Sequence, residues 1–535
     1  MKKRNWICKW KNRKNVGIYI VILFFLILTG TASISLTPDM TVYVAGDSSG
    51  DFNCDGEADQ VEINQALKFV AENPDYTTVY LKGPFTYTID ETIYIHSNTT
   101  LKGDSDAVVK LIDRAGWTNK PMIPLIGKYG DSKITNVTIS GFEIDGNHDG
   151  NTGHSKGQGY YNMIYFNNAT NITVCNMYMH DGHGDGLRIN YGENIQFYNN
   201  NIYQLGHDGL YAIESYNVKA WNNTITCRTN SGLRVWNSNH VKFYDNVIDS
   251  TYDRSAGGPG IQIQKSSAVM DDIEVYNNVI HNTFGPGLWL IGYDSSYSKE
   301  EARNVHIHHN IFYSTGTNPS IDWVGGIVIS GFYDTLIENN VFDGVYHAAV
   351  VHMYPDGKSA DLSPKGKGYT TIVRNNIIAN TLERKKSSLG TGYGVINYLP
   401  ESHSFVIQNN CLYNNKGGDF INATSTGSVY ENPLFASRRN HDYHLKSTGG
   451  RWNGKTWVKD RVISPCIDAG YSSSDYSQEP EDNGDRINIG RYGNTEEASK
   501  SGIMPGYQAW WYKVSQVSPL GLKILRTLIR IFFFI

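Results

Sequence analysis

Two short stretches set acid, base and cation side by side. The first is His183-Gly184-Asp185-Gly186-Leu187-Arg188-Ile189, the second His207-Asp208-Gly209-Leu210-Tyr211-Ala212-Ile213. Their Asp-Gly-Leu core repeats at an interval of 23 residues. Two carboxylates held close together are the apparatus of glycosidic bond cleavage: roughly 5–5.5 Å suits a retaining pair and roughly 6.5–9.5 Å an inverting one. Like charges at such range push one pKa upward and divide the pair into an acid and a base. Arg188 and Arg234 suit a bidentate hold on a uronate carboxylate. In β-elimination that hold acidifies the neighbouring proton, and His183, His207 or Tyr211 is chemically able to remove it. The plainer alternative is local: Asp-Gly is ordinary turn chemistry, and the arginines then pair with Asp185 and Asp208.

Which alternative holds depends on the elements that carry these residues. Downstream, a polar pair precedes an apolar pair again and again: Asn199-Asn200, Asn222-Asn223, Asp245-Asn246, Asn277-Asn278, His309-Asn310, Asn339-Asn340, Asn375-Asn376 and Asn409-Asn410. Short alternating runs such as "GLRVWNSNHVKFY" lie between them and read as strands. Propeller blades need about 40 residues each, more than the early units contain. A coil of about 23 residues with three short strands fits a parallel β-helix, in which equivalent positions stack at about 4.8 Å. The Asn pairs then form a ladder at one turn, where Asn tolerates left-handed backbone.

Aligning the coils on their Gly-apolar step gives one outward column of Arg188, Tyr211, Arg234, Gln262 and Trp289. A second holds Asn190, Ile213, Trp236 and Gln264. Asp185, Asp208 and Ser231 stand just before the step, with His183 and His207 beside them. A polysaccharide lying along the helix axis would meet these groups in turn, with Tyr211, Trp236 and Trp289 as sugar platforms. His347 falls in the column of His207, and His352 lies close by.

The N-terminus, "MKKRNWICKWKNRKN" then "VGIYIVILFFLIL" then "TGTAS", has the order of a secretory signal peptide over residues 1–33, with an uncleaved anchor as the second reading. Either way the rest of the chain faces outside. A net charge of −5 over 535 residues argues against nucleic acid as the main partner. Beyond the signal, Cys54, Cys175, Cys227, Cys411 and Cys466 form neither a disulfide framework nor a zinc pattern. Asn98, Asn136, Asn168, Asn171 and Asn422 are candidate glycosylation acceptors.

"QVEINQALKFVAE" reads as a short amphipathic helix able to cap the first coil, and "SPCIDAG" with "INIGRYGNT" as the closing coil. Residues 46–495 are therefore expected to form one all-β domain, a right-handed single-stranded parallel β-helix. Just before the helix, Asp51, Asn53, Asp55, Asp59 and Glu62 follow calcium-loop spacing, with Gly56 for the turn. They imply a structural Ca2+ remote from the cleft or, alternatively, an acidic turn capping the helix. No organic cofactor is expected. In the tail, 496–535, Lys523, Arg526 and Arg530 have the spacing of a basic amphipathic helix able to lie on a membrane.

"VYLKGPFTYTI…SNTTLKGD" and "NVTISGFEIDGN" resemble the pectate-lyase-like superfamily of right-handed parallel β-helices. The leader "VYVAGDSSGDFNCDGEADQVEINQAL" and the ending "SPCIDAG…INIGRYGNT" resemble a narrower group, the disaggregatase-related surface proteins of methane-producing archaea. That resemblance implies depolymerisation of a chondroitin-like matrix glycan containing glucuronic acid and N-acetylgalactosamine. The motif series of polygalacturonase-type hydrolases is not reproduced. Gly182-His183-Gly184 is present, but Asp-Asp is missing at its expected place and no Arg-Ile-Lys follows. The expectation is thus a secreted or cell-surface enzyme, hydrolase or lyase, acting on an acidic polysaccharide. The alternative is a non-catalytic surface protein that binds glycan with the same Arg and aromatic columns, or serves as envelope structure.

Overall fold

A computed structural model describes residues 40–503 except 118–121, 131, 152–160, 228–229, 250–257, 267–268, 293–301, 322, 333, 354–368, 385–389, 399 and 401–402. The signal segment, most of the tail and much of the three long loops following Asp249, Gly292 and Met353 lie outside these residues.

Successive coils pair in parallel, strand upon equivalent strand, along three faces. On the first face the inward register runs Ile164, Leu187, Leu210, Leu233, Ile261, Leu288, Ile327, Val350 and Val395. The second face carries strands such as Asn239–Tyr244, Met270–Tyr276, Ala302–His308 and Thr335–Glu338. The third is a sheet of twelve three- to five-residue strands, from Thr86–Ile89 to Cys411–Tyr413. Inward Leu, Ile, Val and Phe from all three make one continuous buried core. Alternation of the strand side chains builds it: every second residue turns inward and stacks on its neighbour one coil away.

The Asn pairs do what their chemistry allows. The first member sits in the left-handed region, with φ of 52–57° in all eight pairs. The second is buried, and from Asn200 to Asn410 each side-chain amide donates to the next at 2.9–3.0 Å. These bonds satisfy polar groups the turn would otherwise bury unpaired, at a net gain of about 1 kcal/mol each. Asn98, Asn136 and Asn171 form an exposed ladder continued by Asn194, in which each amide nitrogen donates to the preceding residue. The nitrogen a glycan would occupy is therefore engaged at Asn136 and Asn171.

The Gly of the Asp-Gly-Leu core has a structural cause. A Cβ on Gly186, Gly209, Gly232, Gly260 or Gly287 would lie 2.5–2.9 Å from the carbonyl oxygen of the next coil's glycine. Only hydrogen fits at so close a backbone approach.

The amphipathic helix forms over Gln60–Glu72 as its pattern predicts, and Ile63, Ala66, Leu67 and Val70 join the first strands in the core. Near the other end the structure departs from expectation. "SPCIDAG" and "INIGRYGNT" do not close the helix with a further coil. They run back along the third face as a strap that uses the left-handed turn residues as anchors. Asn409 donates to Ala469 O, Asn375 accepts from Tyr471 N, Asn339 donates to Gly490 O, and His309 Nε2 lies 2.8 Å from Gly493 O. Phe435, Tyr443, Ile463, Ile467 and Ile489 bury against Ile311, Val341, Ile377 and Cys411 to make a second core. Cys54, Cys175, Cys411 and Cys466 are free and buried. Among the described residues no helix is long and apolar enough to cross a membrane.

Candidate functional site

The first outward column is confirmed pair by pair: Arg188 opposite Tyr211, Tyr211 opposite Arg234, Arg234 opposite Gln262, and Gln262 opposite Trp289. Asn190, Ile213, Trp236 and Gln264 stack in the same way. The columns are not an open surface, however. Arg188, Tyr211, Arg234, Gln262 and Trp289 are all at most 6% exposed, and Asp185 and Asp208 are fully buried.

His207 bridges the two carboxylates. Its Nδ1 lies 2.6 Å from Asp185 Oδ1 and 3.0 Å from Asp208 Oδ2. Asp185 also accepts the backbone N–H of Asp208 at 2.9 Å and Arg188 Nη1 at 3.3 Å. Asp208 accepts the backbone N–H of Ser231 at 2.7 Å and Arg234 Nη1 at 3.4 Å. One coil earlier, Asn162 accepts the N–H of Asp185 at 2.8 Å. Asn162, Asp185 and Asp208 are thus rungs of one ladder, each capping the next coil. The turn reading of Asp-Gly and the chemical reading coexist in the same atoms.

The expectation that proximity would raise one carboxyl is corrected. Burial does work to raise Asp185, but His207, Arg188 and the Asp208 N–H outweigh it and hold the carboxyl below the usual range. Burial likewise opposes a charge on His207, yet Asp208 and Asp185 overcome it and lift the imidazole to about 9. His207 is therefore held in its protonated form, and Asp185 beside it in its ionised form.

Tyr211 is also reassigned. The guanidinium carbons of Arg188 and Arg234 lie 4.8 and 4.2 Å from its ring centre, so cations on adjacent coils hold the ring. It is a wedge rather than a sugar platform, and burial drives its phenol upward despite the two cations. Trp289 stacks on Trp323 at 4.4 Å and 12°, which covers the ring as a platform. Trp236 donates to Ser266 at 2.9 Å and stays half-buried. Arg234 gives Nη2 to Gln264 at 2.7 Å, and Gln262 accepts from Ser231 at 3.0 Å.

His183 does not join the bridge. It stacks on His148 at 4.1 Å and meets Tyr161 edge-on at 5.2 Å. His347 does occupy the column of His207, but with no carboxylate partner among the described residues, beside the Tyr398 hydroxyl at 3.2 Å. His352 lies in an inward register with Asn397. Asn162 and Asn230, whose amide nitrogen lies 3.1 Å from His207 Nε2, were not among the sequence candidates. The 23-residue period points to both, since it carries Asp185 back to Asn162 and His207 forward to Asn230.

The acidic N-terminal loop divides. Asp51 accepts Tyr43 N, Asn53 bonds Gly50, Asp55 accepts Glu57 N, and Asp59 accepts Gly56 N and Thr88 N. Asp59 and Glu62 come together with Cys54, donor atoms within 4.8 Å of one another. Asp51, Asn53 and Asp55 spend an oxygen each on local turns instead of joining that group. Asp59 occupies the helix N-cap position without a side-chain cap bond.

Several polar atoms of the first face are buried without a hydrogen-bond partner among the described residues: Asn162 Nδ2, Arg188 Nε, Asn190 Oδ1, Tyr211 Oη, Trp289 Nε1 and Ser330 Oγ. Such orphans cost about 1–3 kcal/mol each and are rare in folded proteins. Here they share one face, on three consecutive coils from Asn162 to Tyr211 and again on the two coils of Trp289 and Ser330.

Stacked coils and a continuous polar column define the molecule as a right-handed parallel β-helix protein, and residues 126–312 match the right handed beta helix region. Within that class, residues 270–470 match the family described as disaggregatase related. Of the sequence candidates for the site, Trp289, His347 and His352 fall in the latter segment, and the Asp-His-Asp bridge does not. No curated protein matches the sequence. Among solved structures, the catalytic unit of a GH87 alpha-1,3-glucanase from Streptomyces thermodiastaticus is 16% identical with a TM-score of 0.50, over 70% of this chain and 66% of that one. The A-module of mannuronan C-5 epimerase AlgE4 from Azotobacter vinelandii is 15% identical with a TM-score of 0.40, over 73% and 97%. PfbA, a surface adhesin of Streptococcus pneumoniae, is 12% identical with a TM-score of 0.39, over 78% and 100%. At these identities the likeness is one of fold.

Proposed function

We propose that this chain is a secreted or cell-surface enzyme that cleaves an acidic, uronate-containing polysaccharide on its first face. The observation that carries the reading is a set of polar atoms on the first face, from Asn162 to Ser330, that have no hydrogen-bond partner among the described residues, beside a protonated histidine held between two carboxylates. A hydroxyl-rich chain laid along the axis supplies the missing partners, and Arg188 and Arg234 supply the charge a uronate needs. The disaggregatase-related match supports a setting at the cell surface or outside the cell.

Hydrolysis fits better than β-elimination. His207 holds a proton to give to a leaving oxygen, and Asp185, held ionised, remains as the basic partner. Tyr211, the alternative base, is held in its phenol form. The substrate must displace cover from the buried column, beginning with Asn230 at His207 Nε2.

The test is to incubate the full chain with chondroitin-like and other uronate glycans, following reducing ends and the ultraviolet absorbance of unsaturated uronate. New ends without absorbance are expected. Absorbance would mean a lyase. Retention of a glycan with no new ends would replace the enzyme by an adhesion protein.

A further inference from the structure

On the second face, far from the Asp-His-Asp bridge in register, two histidines and two glutamates form a cluster that the glycan reading does not use. His306 and His308 project from the same side of the strand Ala302–His308. Glu274 is paired with His306 one coil before, and Glu338 with His308 one coil after. The side chains cross: His308 Nε2 lies 3.1 Å from Glu274 Oε1, and His306 Nε2 lies 2.9 Å from Glu338 Oε1. The two rings stack at 4.0 Å. The donor atoms of Glu274, His306 and His308 all lie within 4.8 Å of one another.

A relay running out of the cluster fixes which nitrogen of His308 carries hydrogen. His309 Nε2 lies 2.8 Å from the Gly493 carbonyl oxygen, so it donates there. The Nδ1 of a neutral His309 ring is then an acceptor. It lies 2.6 Å from His308 Nδ1, which must donate. His308 Nε2 is then the nitrogen turned toward the Glu274 carboxylate, and either a proton or a metal ion can sit between the two.

The outer carboxylate oxygens are already matched, Glu274 Oε2 by Lys242 Nζ at 2.7 Å and Glu338 Oε2 by Arg374 Nε at 2.7 Å. The inner oxygens and both Nε2 atoms remain. We propose that Glu274, His306 and His308 form a site for a divalent transition metal of the zinc class, with Glu338 holding His306 from the next coil. Imidazole and carboxylate are the donors such ions take, and ligands about 2.0–2.1 Å from the ion place donor atoms about 3.3 Å apart. The Glu274–His308 contact of 3.1 Å is already close to that spacing. A ligating histidine that passes its other N–H to a fixed acceptor is the usual supporting arrangement, and His308 has it through His309. The ion would pin two coils together and orient the relay that holds the C-terminal strap. Its three donors lie within the disaggregatase-related segment.

The full chain, stripped with a chelator, would be titrated with Co2+, and separately dialysed against Zn2+. The wild type is expected to take up one equivalent with the visible absorption of four-coordinate cobalt. Glu274→Gln and the pair His306→Ala, His308→Ala should lose that spectrum and weaken uptake by roughly 10–100-fold or more. Zinc should raise the Tm of the wild type and not of the variants. Glu274→Gln is isosteric and half-buried, so it carries the test if the histidine variant misfolds. No stoichiometric uptake by the wild type, or uptake equal in wild type and Glu274→Gln, would overturn the site. The glycan assay is unaffected by either result.

Discussion

His207 and His347 occupy one column of the same face, in coils where the backbone register is equivalent, and their protonation is opposite. His207 stands between Asp185 and Asp208 and is lifted to about 9. His347 has Tyr398 at 3.2 Å, and burial with the nearby Arg384 charge pushes it down to about 3. The coil gives both residues the same position and nearly complete burial. Two things differ: His347 has a left-handed backbone, φ 73°, and it is followed by Ala348 where Asp208 follows His207, so that no carboxylate ladder continues there among the described residues. Burial alone neutralises a histidine; burial with two ionised carboxylates charges it. The repeat makes positions, and single exceptions to the repeat make chemistry.

The sharpest way to break the comparison is catalytic. Asp208→Asn and Asp185→Asn keep the ladder acceptor but remove the charge, so cleavage of a uronate glycan should fall by about 10²–10⁴-fold. His347→Phe should leave it unchanged. Reducing-end release read side by side in the three variants decides this. Equal rates in all three would remove the bridge from the mechanism.

Stability comes next. His207→Gln leaves two carboxylates facing each other with their shared cation gone. Breaking a buried pair in this way costs about 3–5 kcal/mol, read as a lower midpoint in urea unfolding. A loss under about 1 kcal/mol would mean that Arg188 and Arg234 hold the carboxylates without help.

Much of this was legible in the sequence, and the reason is periodicity. Asn200 to Asn410, the inward Leu and Ile, and the column from Arg188 to Trp289 follow from a repeat whose neighbours are fixed by stacking. The burial of that column was not legible. Whether Tyr211 offers its ring to a sugar or to Arg188 and Arg234 depends on side-chain reach across coils, which spacing does not specify. Trp289 is a similar case, because Trp323 approaches it from a different part of its coil. The strap escaped for another reason. "INIGRYGNT" has the turn chemistry of a coil, yet its partners are His309, Asn339 and Asn375, all more than a hundred residues upstream. His183 misled because its Gly-His-Gly setting resembles that of His207, while its ring turns to His148.

The same pair of histidines makes opposite demands on pH. The His207 value lies above the ordinary 6.5, so its contribution is complete below about 6.5 and is lost as pH rises toward 9. The shift corresponds to a few kcal/mol at most, at about 1.4 kcal/mol per unit. The value for His347 lies below 6.5, so its contribution is complete above about 6.5 and is lost as pH falls toward 3. Tm measured from pH 5 to 9.5 should therefore decline on the alkaline side in the wild type, and that decline should flatten in His207→Gln. An unchanged alkaline slope would place the proton elsewhere.

The smallest effect is the most diagnostic of what burial does by itself. His347 Nδ1 is buried without a partner among the described residues, while Nε2 has the Tyr398 hydroxyl. Replacing the ring by Phe gives up that one hydrogen bond, worth about 1 kcal/mol, and relieves an orphaned polar atom costing about 1–3 kcal/mol. The two nearly cancel at neutral pH, so His347→Phe should change stability by no more than about 1 kcal/mol. Below pH 6 the balance tips, because the wild type must keep an imidazole neutral that would take a proton if the chain unfolded. His347→Phe should then be the more stable form at pH 5, and the gap should close again near pH 7. A variant that is less stable than the wild type at both pH values would mean that His347, like His207, is held by interactions its register alone does not provide.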